Sequence, residues 1–370
     1  MSVDRLAQEE RRQERAEGRR RIRRQRAVVG GALVLVAIGA IAVATGAFST
    51  THITKIVRVV VTTPLPSLAP STTAAKAPTS SLPAASAGSN GSFTPPASAS
   101  SASTGVLRRG AGSSFAALAR RLPGPIGVAV APLGGDGVVV LGDDEPAHGW
   151  STTKVPVLVA LLRARGTSGL TSTEQQWAQL AITESDNQSI LDLFGDLESL
   201  KGGLLGASAY IQELLHESGD DRTVVATAPP PAGAVTTFGQ TEWPPSEAVK
   251  FFQALGRGCL LPRSQTRYVL NLMEHIIPSE SWGLGSSSFG APVAFKGGWG
   301  PELDGYLVRQ SGVIDPGSSR GVAVSIVAHP PAGGDSFGTG TEMITETAQW
   351  LEREVVLSSR HEASCANGAP

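Results

Sequence analysis

Two short β-like runs, Ile126–Val130 and Val138–Leu141, lie far ahead of three others, Val293–Lys296, Tyr306–Ile314 and Gly321–Ala328. Between them, from Thr171 to about Met273, the apolar spacing is largely helical, most clearly over Gln175–Ile182, Gln188–Leu193, Ala207–Leu215 and Ser246–Leu255. The last of these follows Pro244-Pro245, a favourable helix start. Gly134-Gly135-Asp136-Gly137 separates the first two runs as a hairpin turn would. Helical spacing recurs at Ser113–Arg121 and Glu342–Val356. Strands at both ends with helices inserted between them predict an α+β fold: a mixed sheet, a helical subdomain and closing terminal helices. Residues 219–240 are expected to be irregular, and no internal repeat is evident.

The N-terminal third reads differently. Residues 5–26 carry ten arginines, and Ala27 to Phe48 then runs 22 residues without a charge. As a helix this run would be about 33 Å long, enough for a bilayer core of about 30 Å. The arginines ahead of it place the N-terminus (1–26) in the cytoplasm. The expectation is a single-pass anchor over 27–48 in the cell membrane, with the remaining chain extracytoplasmic. A cleaved signal peptide ending near Ala44-Thr45-Gly46-Ala47 is the alternative. Residues 49–110, dominated from Thr62 by Ser, Thr, Pro and Ala, read as a disordered tether. Within it, Ile56–Val61 reads equally as a strand or a juxtamembrane extension. The globular domain is expected over 111–358, with a disordered tail at 359–370.

Formal net charge is −1, so no global basic field points to nucleic acid. Cys259 and Cys365 are open to two readings, a bridge or an unpaired Cys259 in the core. No Cys/His spacing resembles a metal site.

Ser151-Thr152-Thr153-Lys154 precedes the apolar run Val155–Leu162. Serine and lysine three apart at a helix mouth share a face. Unpaired first-turn N–H groups there favour negative charge. A partly desolvated lysine loses its proton near neutrality and can act as base to the serine. S-x-x-K alone is common by chance. Here Ser185-Asp186-Asn187 follows the apolar Leu180–Ile182, and Lys296-Gly297-Gly298-Trp299 closes a β-like run.

With these three clusters in this order, the chain resembles the class A β-lactamase and penicillin-binding serine hydrolase superfamily, marked by S-x-x-K, S-D-N and K-T-G. The resemblance covers roughly residues 112–358. It implies an antiparallel sheet flanked by terminal helices, no cofactor, a monomer, and a β-lactam or peptidoglycan-derived substrate. By resemblance Ser151 is the acylated nucleophile and Lys154 its activator, and Ser185 relays a proton to the leaving nitrogen. Asn187 holds the substrate amide, and Lys296 supports Ser185 and attracts a carboxylate. Gly297, Gly298 and Trp299 line the substrate, with the N–H groups of Ser151 and Trp299 as oxyanion hole. Asp186 is expected to brace its loop.

Two departures qualify this. Gly297 stands where the family has threonine, removing a hydroxyl that helps bind a carboxylate, a loss of roughly 1.5–3 kcal/mol. Class A enzymes also deacylate through a loop glutamate, yet residues 218–241 hold none, only Asp220 and Asp221. Glu217, at the edge of that window, reads as a helix end. Glu184 and Glu242 are the remaining candidates for a deacylating carboxylate. Three readings follow: a β-lactamase-like hydrolase with slow deacylation, a D-alanyl-D-alanine peptidase or other penicillin-binding enzyme, and a non-catalytic envelope-binding module. Gly334-Asp335-Ser336-Phe337-Gly338 matches G-x-S-x-G but lies in a Gly/Pro-rich loop with no following Asp, so a nucleophile elbow is not expected. His148 is expected at the surface or pocket mouth. Trp150 and Trp299 are read as core or as an aromatic wall.

Overall fold

The structure, a computed structural model, describes residues 105–231, 234–303, 305–359 and 365. The proposed anchor and most of the tether therefore lie outside the described residues. Among those described, no helix is long and apolar enough to cross a membrane.

The strands are β1 (Ile126–Pro132), β2 (Val139–Gly142), β3 (Val293–Glu302), β4 (Gly305–Ile314) and β5 (Val322–Ala328). They form one sheet of order β2-β1-β5-β4-β3, and every pairing is antiparallel. β1 and β5 are buried along their whole length, which explains their continuous rather than alternating apolar sequence. One face is covered by α1 (Ala111–Ala119) and the C-terminal helix Ser336–Glu354, whose Phe115, Trp350 and Leu351 pack on Val128, Val324 and Ile326. The domain's two ends meet there: Leu107 bridges to Val355, and Val356 N–H donates to Val106 O at 2.9 Å.

The other face carries the helical subdomain: α2 (Lys154–Arg165), α3 (Ser172–Thr183), α4 (Asn187–Lys201), α5 (Leu204–Glu217), α6 (Pro245–Arg257) and α7 (Arg263–Glu274). The C-terminal helix is α8. Residues 154–162 of α2 are all buried, as expected of a helix apolar on every side. α3 starts on a capping box, Thr171 with Glu174, and Glu174 also takes Arg165 Nε at 2.9 Å. α7 extends the predicted helical stretch, with Pro262 at its N-cap. Residues 219–237 contain neither helix nor strand among those described, as anticipated.

Cys259, just past the end of α6, is bridged to Cys365, 106 residues on. The tail is thus tied back at Cys365.

Three expectations are corrected. The sheet expected from the element order to be mixed is antiparallel at every pairing. Ser151 opens no α-helix; it lies in a 3-10 turn, Trp150–Thr153, from which α2 continues. The Lys296–Trp299 segment does not end its strand, because β3 runs on to Glu302. Glycines weaken strands, but those at 298 and 300 are where other chain segments press against this edge.

Candidate active site

β3 is an edge strand, and the turn Trp150–Thr153 lies across it. A Cβ on Gly298 would stand 2.9 Å from Ser151 N, and one on Gly300 would overlap the Trp150 indole at 2.3 Å. Only hydrogen side chains permit this approach. The turn is held from behind as well. Trp150 Nε1 donates to Glu302 Oε1 at 2.9 Å, and His148 Nδ1 lies 2.6 Å from Glu302 Oε2. The fully buried Arg309 donates to Ala147 O and His148 O, both at 3.2 Å, and lies 5.9 Å from the Trp243 ring. Trp243 is core, its indole N–H bound by Asp220 at 2.8 Å. His148 is thus engaged with Glu302, and Trp150 is a clamp for the turn.

Lys154 and Lys296 converge on Ser185, which sits between α3 and α4. Lys296 Nζ donates to Ser185 Oγ at 2.9 Å and to Gly297 O at 2.9 Å. Lys154 Nζ donates to Asn187 Oδ1 at 2.8 Å and to Ser185 O, and lies 3.4 Å from Ser185 Oγ. Both lysines are buried, at 1% and 0% exposure. Burial, with repulsion from Lys296, lowers the Lys154 pKa to about 7. Burial lowers Lys296 to about 8 against the opposing pull of Glu280. Lys154, losing its proton near neutrality, can therefore serve as a base in its free amine form while Lys296 keeps its charge.

Asp186 caps α4, accepting from Ser189 N at 2.8 Å and Ser189 Oγ at 2.7 Å, the bracing role expected of it. Backbone strain gathers here. Trp150 at φ 45° and Ser185 at φ 54° are two of three described non-glycine residues in the left-handed region, a conformation that costs about 1–3 kcal/mol each.

The carboxylate candidates stand elsewhere. Glu184 is exposed at the end of α3, and Glu242 is exposed opposite His148 in an isolated bridge. Neither makes a hydrogen bond or ion pair with Ser151, Lys154, Ser185 or Lys296 among the described contacts. Glu217 pairs with Arg163, whose Nη2 lies 2.9 Å from Oε1. The carboxylate that does reach the site is Glu280, its Oε2 3.7 Å from Lys296 Nζ. It ends a short 3-10 turn, Pro278–Glu280, after α7 and carries no periodic or motif signal. Trp282, two residues on, takes the space beside Gly297, where a Cβ would meet its ring at 3.0 Å. Trp282, Trp299 and Phe337 form one aromatic cluster, with Trp299 and Phe337 5.0 Å apart. Ser336, of the G-x-S-x-G match, begins α8 with its hydroxyl on Pro331 O and Gly333 O, both 3.1 Å away, so it is a helix-start residue. No group of His, Cys, Asp and Glu among the described residues is arranged to hold a metal.

No family model matches the sequence, and no curated protein matches it. The fold does have solved counterparts. The chromosome-encoded β-lactamase of Vibrio parahaemolyticus superposes with a TM-score of 0.53 at 16% identity, over 66% of this chain and 98% of that one. A class A β-lactamase from Mycobacterium abscessus gives 0.51 at 18% identity, again over 66% and 98%. PBP-A gives 0.50 at 19%, over 66% and 95%. At these identities the likeness is one of architecture: the domain has the β-lactamase/transpeptidase-like α+β fold.

Proposed function

We propose that this chain is an extracytoplasmic serine hydrolase, held to the membrane by residues 27–48, that opens β-lactam or related cell-wall amide bonds through an acyl-enzyme on Ser151. The observation carrying this reading is the convergence of Lys154 and Lys296 on the Ser185 hydroxyl, with Lys154 brought to about 7. Lys154 as free amine takes the Ser151 proton while Oγ attacks the carbonyl carbon. The N–H groups of Ser151 and Trp299 hold the oxyanion. Two ammonium donors facing Ser185 Oγ leave its own hydrogen to point outward, towards the departing nitrogen. Asn187 then presents its amide to the substrate. The Cys259–Cys365 bridge supports an oxidising compartment.

With Glu184 and Glu242 exposed and making no described contact with the site, water attack on the acyl-enzyme has no carboxylate base of the loop type, and slow deacylation follows. That favours the second reading, a penicillin-binding enzyme of the D-alanyl-D-alanine peptidase kind. Intact-protein mass spectrometry after incubation with a panel of β-lactams, beside Ser151→Ala, tests both. A persistent Ser151-dependent adduct supports the penicillin-binding reading, and a transient one with released product supports the β-lactamase. No adduct across the panel, in folded protein, would favour the non-catalytic envelope module.

A further inference from the structure

Lys296 Nζ donates to Ser185 Oγ at 2.9 Å, and its charge is already answered. Glu280 Oε2 stands 3.7 Å from Nζ, and the glutamate side chain is 18% exposed against 0% for the lysine. The carboxylate is thus the more exposed partner of the pair. It is delivered by a fixed segment. Ile277 N–H donates to Thr183 O at 3.0 Å, and Glu280 N–H donates to Ile277 O at 3.0 Å. Beyond it, Gln310 Nε2 donates to Trp282 O, and Gln310 Oε1 accepts from Leu284 N, both at 2.8 Å. Gly283 N–H donates to Thr345 Oγ1 at 3.1 Å.

The neighbouring surface is aromatic. Trp282 occupies the space beside Gly297, and Trp299 and Phe337 continue it. Among the described contacts, no arginine touches Ser151, Lys154, Ser185, Lys296 or Glu280. A ligand anion brought to Lys296 would also stand close to Glu280, with no arginine among the described contacts to compensate. Like charges at such a distance in a partly buried site weaken binding by roughly 10- to 100-fold.

We infer that the subsite beside Lys296 selects a leaving group that ends uncharged, as an amide, ester or aromatic group, and that Glu280 is the specificity residue that turns a carboxylate away. This rests on the acyl-transfer reading of Ser151, and within it favours a penicillin-binding enzyme acting on amidated or esterified substrates over a D-alanyl-D-alanine peptidase, whose leaving group carries a free carboxylate.

The test uses the full-length protein in detergent at pH 7 with a matched pair of probes, benzylpenicillin and its methyl ester, which differ in one negative charge. Acylation rate constants are read by intact mass. The wild type is expected to react with the ester about tenfold faster than with the acid. Glu280→Gln is expected to raise the acid rate about tenfold and to leave the ester rate within about twofold. Working with the ratio cancels any change in Lys154. A wild type that takes the acid as readily as the ester overturns the inference. So does a Glu280→Gln effect equal on both probes, or one confined to loss of the adduct, which would move Glu280 to deacylation. Phenylboronic acid has neither leaving group nor carboxylate, and its Ser151-dependent tetrahedral signal in 11B NMR reports the activated hydroxyl alone. That signal present, with no acid/ester discrimination, removes this inference only. Its absence together with the absence of any acylation removes the acyl-transfer reading and this inference with it.

Discussion

Gly298 and Ser151 touch backbone to backbone: a Cβ on the glycine would stand 2.9 Å from the serine nitrogen. The 3-10 turn can lie on β3 only because position 298 has no side chain. Gly298→Ala is therefore expected to push the turn outward by a fraction of an ångström and to misplace Ser151. Displacements of that order cost roughly hundredfold in rate. The acylation rate should fall about that far while circular dichroism shows a folded protein; an unchanged rate would contradict the contact.

The pH dependence should be narrow. Lys154 must be neutral, and its pKa is lowered to about 7; Lys296 must be charged, and its own is lowered to about 8. Acylation should rise through about pH 7 and fall above about pH 8. Lys296→Met removes a repulsion that lowers Lys154, so the acid limb should move to higher pH, whatever happens to the maximum rate. For stability the sign is the reverse of an ordinary ion-paired lysine. Between pH 7 and the usual lysine value of 10.5 the unfolded chain binds more protons, so these two residues make unfolding harder as pH rises through that window.

Restoring a threonine at Gly297 should not restore carboxylate binding. Its Cβ would meet the Trp282 ring at 3.0 and 3.3 Å, and overpacking of this kind costs about 1–3 kcal/mol. Gly297→Thr is expected to lower stability by that amount, and the same change in a Trp282→Ala background by clearly less. Equal and additive losses in denaturant melts would show that the ring does not occupy this space.

Cys365→Ser opens a loop closed across 106 residues. A loss of about 2–4 kcal/mol is expected, seen as a lower urea midpoint that reductant reproduces in the wild type but not in the variant. Neither cysteine contacts the site residues, so the acylation rate at 25 °C should not change.

What was legible in the sequence follows from what kind of contact each residue makes. Ser151, Lys154, Ser185 and Lys296 were found because their chemistry is carried by residue type at short spacing, and the α+β order was found because β1, β5 and α2 are buried on every side. Glu280, Trp282 and Gln310 were not. Each acts only through partners brought near by the fold, Lys296, Gly297 and the Trp282–Leu284 backbone. Glycine at 297 could be read as a missing hydroxyl, but not as the space for a ring. The continuation of β3 through Gly298 and Gly300 was hidden for the same reason, since strand propensity counts such glycines against a strand.

The sheet order also has a consequence in time. β1 pairs on one side with β2, a short neighbour close in sequence, but on the other with β5, where Val128 faces Ile326. Its inner partner comes later in the chain, beyond the whole helical subdomain. Until then β1 and the apolar helix α2 have no sheet to close against, and contacts of this separation fold slowly. A domain built this way stays open until the segments after its helices have been made. That state leaves the growing chain dependent on whatever shields its apolar segments meanwhile.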